Sequence, residues 1–122
     1  MSYSPRDPAT LLDMLLLAQD VREFVAAMTF EAFSGDKKTR AAVLHALIVV
    51  GEVSKRLSLD FKVDHPEIPW VRIGNFRNLL IHEYDKVDLP LVWRVVTAEV
   101  PQLIQNLTPL VPVEPPADGE QG

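Results

Sequence analysis

Cysteine is absent from this chain of 122 residues, which excludes a disulfide framework and any thiolate metal site. Glycine is scarce. Gly35, Gly51 and Gly74 stand alone in the body of the chain and none belongs to a G-K-[ST] motif, so no glycine-rich loop is present to cradle a phosphate. His45, His65 and His82 show no H-x-x-x-H or comparable ligand spacing, and no single-chain metal site is expected. The serines include no G-x-S-x-G elbow. Strict apolar/polar alternation bounded by hairpin turns is missing as well, which argues against strands. The longest charge-poor run, Val95–Val113, contains Glu99, three prolines and several amides, so it does not read as a membrane span. The opening residues, "MSYSPRDPAT", carry no basic segment followed by an apolar one. A cytoplasmic location is the expectation.

Positive charge is in short supply. The net charge is −5, which speaks against a bulk electrostatic grip on a polyanion. The distribution softens this. Glu114, Asp118 and Glu120 lie in the C-terminal tail, and residues 1–111 carry 12 basic against 14 acidic side chains. Between Trp70 and Arg94, the residues Arg72, Arg77, Lys86 and Arg94 outnumber Glu83, Asp85 and Asp88. Any contact with a polyanion must be local.

What the chain does have is helical periodicity. Asp7 can cap a first helix with Pro8 at its first position, and Leu11, Leu12, Leu15, Val21, Phe24, Val25 and Met28 follow near helical spacing. That helix is expected to end before "TFEAFSGD", where Gly35 and Asp36 read as a break and a new cap. A second helix, from about Lys37 to Leu57, carries Val43, Leu47, Val50, Val53 and Leu57 on one side. Gly51 within it costs about 1 kcal/mol relative to Ala, and a glycine kept there often permits close backbone approach. "SLDFKVDHPEIPW" reads as a loop. Pro69 opens a third helix from about Trp70 to His82 or Tyr84, and "YDKVD" is a short connection. Asp88 caps a fourth helix, in which Pro101 predicts a kink or a restart. The expected product is an all-α antiparallel bundle of four long helices over residues 1–111, with a disordered Pro-rich acidic tail at 112–122. Glu99 is the only charged side chain between Val95 and Val113. A surface helix normally shows a charged face, so this segment predicts burial on more than one side or a subunit interface, with a two-fold dimer as the expected assembly.

One helical stretch departs from the plain amphipathic pattern. In "FRNLLIHEYDKVD" (Phe76–Asp88), Arg77, Asn78, His82 and Tyr84 fall within eight residues. His exchanges protons near neutral pH, and Arg offers a fork of donors to a phosphate. The set suits RNA cleavage without a metal, in which His82 assists attack by the ribose 2′-hydroxyl and Arg77 stabilises the transition-state phosphate. Asn78 would fix the imidazole or contact substrate. At about 100° per residue, however, Arg77 and His82 stand about 140° apart on an ideal helix. They converge only if the arginine curls round, the helix ends or distorts near His82, or a second subunit completes the site. An exposed, inert helix face stays open as the alternative. His45, set among apolar residues, reads as a hydrogen-bonded core or interface histidine, and His65, before Pro66, reads as solvated.

The segment "RNLLIHEY" (Arg77–Tyr84) resembles the R-x4-H-x-Y motif of HepT-like toxins, a branch of the HEPN superfamily. "VVGEVSKRLS", "MTFEAFSGDKKTRAAV" and "HPEIPWVRIGNFRNLLIHEYDKVDLPLVWRVV" extend the likeness over about residues 10–107. The resemblance implies a dimeric HEPN helical bundle and the toxin component of a type VII-like HEPN/MNT toxin–antitoxin system. In such a pair the toxin is a metal-independent endoribonuclease, here expected to act on a local target such as one end of a tRNA. By the same resemblance Arg77 and His82 are catalytic, Asn78 matches the polar residue after the arginine, and Tyr84 is the regulatory position. An MNT-type nucleotidyltransferase antitoxin would transfer AMP from ATP to Tyr84. The chain itself would need no cofactor, since the partner uses the ATP. Glu52, in "GEVSKRL", matches an acidic residue common in such proteins, with a place near the cleft or a solvated or capping role both open. The competing expectation is a non-catalytic helical interaction module that binds a nucleotidyltransferase partner.

Overall fold

The computed structural model describes residues 3–112. Among them the chain is all-α, as expected. The first long helix, α1, spans Asp7–Phe24. A tight turn follows, with Ala27 at φ 62°, a left-handed conformation that costs a non-glycine residue roughly 1–2 kcal/mol. A short helix, α2 (Phe30–Gly35), comes next, then the long α3 (Lys37–Ser54). A second short helix, α4 (Leu59–Asp64), leads to α5 (Trp70–His82). The last long helix is built in three parts, α6 (Leu89–Arg94), a π turn (Val95–Glu99) and α7 (Val100–Leu107). The expected tail lies, apart from Pro112, outside the described residues.

Several boundaries follow from local chemistry. Asp36 caps α3 by accepting the Thr39 N–H at 3.2 Å, and that bond holds its carboxyl below the usual range. Asp88 caps α6 by accepting the Leu91 N–H at 3.1 Å, and Pro69 sits immediately before α5. Two segments expected to be irregular are helical instead. Thr29 caps α2 through Ala32 N–H, and Ser58 caps α4 through Phe61 N–H. Each cap precedes a single apolar anchor, Phe33 or Phe61, which is buried in the core. One anchored turn is too short to produce a readable period. The helix expected to run to Leu57 stops at Ser54, and Leu57 still enters the core.

Asp7 is a correction. The cap position of α1 belongs to Arg6, without a side-chain cap bond. Asp7 is buried and accepts the Ser4 N–H at 3.1 Å, the Ser58 N–H at 3.1 Å and the Ser58 hydroxyl at 2.7 Å. A carboxylate expected to cap its own helix thus ties the start of α1 to the start of α4. Asp7→Ala leaves those donors without their charged acceptor and is expected to cost roughly 2–3 kcal/mol. In a domain of this size that lowers Tm by roughly 8–13 °C, measurable by calorimetry.

The expected disturbance at Pro101 is a π turn rather than a simple kink. The Val100 N–H bonds to the Val95 carbonyl, five residues back. In that register the Val96 carbonyl would look to residue 101, and Pro101 has no N–H. Arg22 on α1 fills the gap, its Nη1 donating to the Val96 carbonyl at 3.2 Å.

The bundle is layered around α3 and α1. Helix α1 packs on α3 and on α7, and α3 packs on α5. Phe33, Leu80, Val92 and Val96 lie in one end of the core, and Met14, Phe61, Ile68 and Leu107 in the other. Between α5 and the last helix a groove of about 640 Å³ stays open. No helix is long and apolar enough to cross a membrane among the described residues.

Candidate functional site

The site is built where α5 crosses α3. The two backbones come so close that a Cβ at Gly51 would lie 2.3 Å from the Cβ of Arg77 and 2.7 Å from its Cγ. The close approach expected of that glycine is therefore real, and the residue it admits is the motif arginine.

The next residue along α3 holds the arginine's other end. Arg77 Nη2 donates to Glu52 Oε2 at 2.5 Å, and Nη1 donates to Asn78 Oδ1 at 3.0 Å. The bond from Arg77 holds the Glu52 carboxyl below the usual range, against a smaller opposing effect of desolvation. Glu52 is thus an anion at neutral pH. The Nε of Arg77 is buried and has no hydrogen-bond partner. Arg77 therefore has its stem packed on Gly51 and its fork steered by Glu52. Glu52 has a place in the cluster through its bond to Arg77, while its side chain stays 42% exposed to solvent. No spacing rule could have paired residues 25 positions apart; the signal available was the glycine that precedes the glutamate.

His82 and Tyr84 are placed differently. His82 is the last residue of α5, and Tyr84 begins the 3-10 turn Tyr84–Lys86. Both are exposed, and no hydrogen bond or ion pair holds either one among the described residues. Asn78, expected to fix the imidazole or contact substrate, bonds to Arg77 instead. The structure thus brings together Arg77, Asn78 and Glu52, and leaves His82 and Tyr84 unengaged at the end of the same helix.

The other histidines differ from expectation. His45 is exposed on α3 and makes no hydrogen bond among the described residues, so it is not a hydrogen-bonded core histidine. His65 is partly covered. Its ring lies 4.5 Å from that of Phe61, and its Nδ1 is 3.1 Å from Glu67 Oε2.

The groove beside α5 is lined by Phe76, Leu79, Val95, Val100 and Leu103, and it is bridged by an ion pair of 2.5 Å between Arg72 and Glu99. The single charge in the Val95–Val113 run is thus used at the groove, where the same wall carries Val95, Val100 and Leu103 together with Gln102 and Asn106.

Comparison with known proteins places this geometry. A model of the family described as "Ribonuclease HepT-like" matches residues 14–110. A protein of Thermococcus cleftensis named "Probable ribonuclease HepT" is 45% identical over 83 residues, covering 68% of this chain and 76% of its own length. A candidate RNase of Methanocaldococcus jannaschii, MJ1380, is 39% identical over 101 residues, covering 82% of this chain and 93% of its own. Another from the same archaeon, MJ0127, is 36% identical over 103 residues, with 84% and 85% covered. No solved structure matches the chain. The match runs from within α1 to beyond α7 and includes both Arg77 and the Gly51–Glu52 pair that seats it, and this chain belongs to the HepT-like ribonuclease family.

Proposed function

We propose that this chain is an endoribonuclease toxin whose catalytic groups are Arg77 and His82, with Asn78 beside them. The observation that carries the proposal is the treatment of the two motif side chains. Arg77 is held in one orientation by Gly51 and Glu52, while His82 stands exposed and unengaged. An ordinary wet helix face gives no reason for a glycine and a carboxylate on a neighbouring helix to converge on one arginine.

The chemistry is transesterification. His82 takes the proton of the ribose 2′-hydroxyl, and the 2′ oxygen forms a bond to phosphorus. The bond from phosphorus to the 5′ oxygen breaks, and the proton returns to that oxygen. The products are a 2′,3′-cyclic phosphate and a 5′-hydroxyl. Arg77 donates to the phosphate oxygens as charge builds on them. No step draws on a metal ion.

The separation of Arg77 and His82 around α5 favours a site completed by a second copy. The apolar groove between α5 and the last helix offers a surface for such a homodimer. Tyr84, two residues beyond His82 and 47% exposed, is accessible to a nucleotidyltransferase antitoxin. AMP on its hydroxyl would set a bulky negative group beside His82 and repel RNA.

The test uses purified chain and RNA in EDTA. Cleavage to cyclic-phosphate ends is expected, from a species that light scattering reports as a dimer. Incubation with the partner and ATP is expected to add whole AMP units to Tyr84 by mass spectrometry and to stop cleavage. Intact RNA, with Arg77→Ala and His82→Ala chains still binding the partner, would establish a docking module instead.

A further inference from the structure

Two short clusters of cations stand out in this acidic chain, Lys37, Lys38 and Arg40 at the start of α3 and Lys55 and Arg56 at its end, and only the second adjoins Arg77. Helix α3 ends at Ser54, but its spiral continues. The Lys55 N–H bonds to the Glu52 carbonyl at 3.2 Å and the Arg56 N–H to the Val53 carbonyl at 2.9 Å. Glu52, Lys55 and Arg56, at i, i+3 and i+4, therefore share a face. Glu52 on that face is bonded to Arg77 of α5. Three cations surround one carboxylate, a local charge of +2 in a chain of −5. The charges of Lys55 and Arg56, after that of Arg77, help hold Glu52 ionised. Both side chains are exposed, and among the described residues neither is held by an ion pair or a side-chain hydrogen bond.

Cations at a helix C-terminus are favoured by the helix dipole, and this alone would place Lys55 and Arg56. It does not explain why the cluster forms around the carboxylate that seats the motif arginine. We infer that Lys55 and Arg56 bind the phosphates of the RNA strand that flank the phosphate held at Arg77, forming a substrate-positioning step outside the reacting centre. The inference rests on the ribonuclease reading. It also accounts for how an acidic protein engages a polyanion, through a local grip that runs from Arg77 along the end of α3.

The test compares Lys55→Ala/Arg56→Ala with Lys37→Ala/Lys38→Ala. The second pair removes the same charge from the opposite end of α3, where both lysines are also exposed. Each protein is assayed on a mixed-sequence 12-nucleotide RNA and on dinucleoside monophosphates, which have a single phosphate. The wild-type preference for the longer substrate, in kcat/KM, is expected to fall about 10- to 30-fold in Lys55→Ala/Arg56→Ala near 0.1 M salt. The plot of log(kcat/KM) against log[salt] is expected to flatten by about 1.4, since each single-strand phosphate contact contributes about 0.7. Lys55→Arg/Arg56→Lys is expected to restore the preference, as charge is what matters there.

Equal effects in the two alanine pairs would overturn the inference and leave the ribonuclease reading intact. So would equal loss on long and short substrates together with a lowered Tm, which would reveal a helix-end stabiliser only. Binding of a 2′-O-methyl 12-mer, followed by fluorescence anisotropy, covers a wild type that cleaves nothing. A salt slope that still flattens in Lys55→Ala/Arg56→Ala would sustain the phosphate step and sink the ribonuclease reading. No binding by the wild type would overturn both.

Discussion

Alanine at His82 or at Arg77 is expected to abolish RNA cleavage in EDTA by two to four orders of magnitude, with different effects on the fold. Loss of a positioned acid–base group costs roughly 10²- to 10⁴-fold, and loss of a donor to transition-state charge roughly 10²- to 10³-fold. His82 is exposed and unpartnered, so His82→Ala is expected to keep the wild-type Tm. Arg77 is half-buried and bonded to Glu52 and Asn78, so Arg77→Ala is expected to show a lower Tm as well. Arg77→Lys separates charge from geometry. It keeps the positive charge but cannot reach Glu52 and a phosphate with one planar fork, and it is expected to remain well below wild type. Cleavage by His82→Ala at the wild-type rate would remove the histidine from the mechanism, whatever the arginine does.

Gly51→Ala should show the second large effect, and its sign is opposite to the usual one. Glycine to alanine inside a helix ordinarily stabilises by about 1 kcal/mol. Here the new Cβ meets the Cβ of Arg77 at 2.3 Å, an atom fixed to the α5 backbone that no rotamer change can move aside. Helix α5 must shift away from α3, and overpacking of this kind costs roughly 1–3 kcal/mol. The net expectation is a Tm lowered by several degrees and a loss of cleavage larger than the loss of stability explains, because the shift carries Arg77 away from Glu52. A double-mutant cycle with Arg77→Gly isolates the contact. The pair Gly51→Ala/Arg77→Gly is expected to be more stable than the two single effects predict, by about 1 kcal/mol or more, while cleavage stays lost. A Gly51→Ala chain more stable than wild type would show that the helices are not this close.

Local chemistry was legible without the structure. Asp36 and Asp88 cap the helices they were expected to cap, Pro69 opens α5, and Pro101 marks a disturbance in the last helix. These signals act within four residues along the chain, so the sequence states them directly. The motif could be placed on α5 for the same reason, and Gly51 could be singled out because a glycine inside a helix has a cost that something must offset.

What lay beyond reach depends on how one helix is rotated against another. Asp7 looked like a cap by position, yet it serves Ser58, 51 residues away. Phe33 and Phe61 turn two apparent loops into short helices by entering a core that only the assembled bundle provides. The helical wheel could say that Arg77 and His82 diverge, but not which of them faces a neighbour. Packing of α5 on α3 decided that, turning Arg77 toward Gly51 and Glu52 and leaving His82 in solvent. By itself the sequence determined four long helices, most of their ends and the segment that bears the chemistry, because periodicity and capping are short-range. Only the tertiary structure decided which arginine is seated, by what, and beside which unpaired cations, because those pairings join residues that the chain itself keeps far apart.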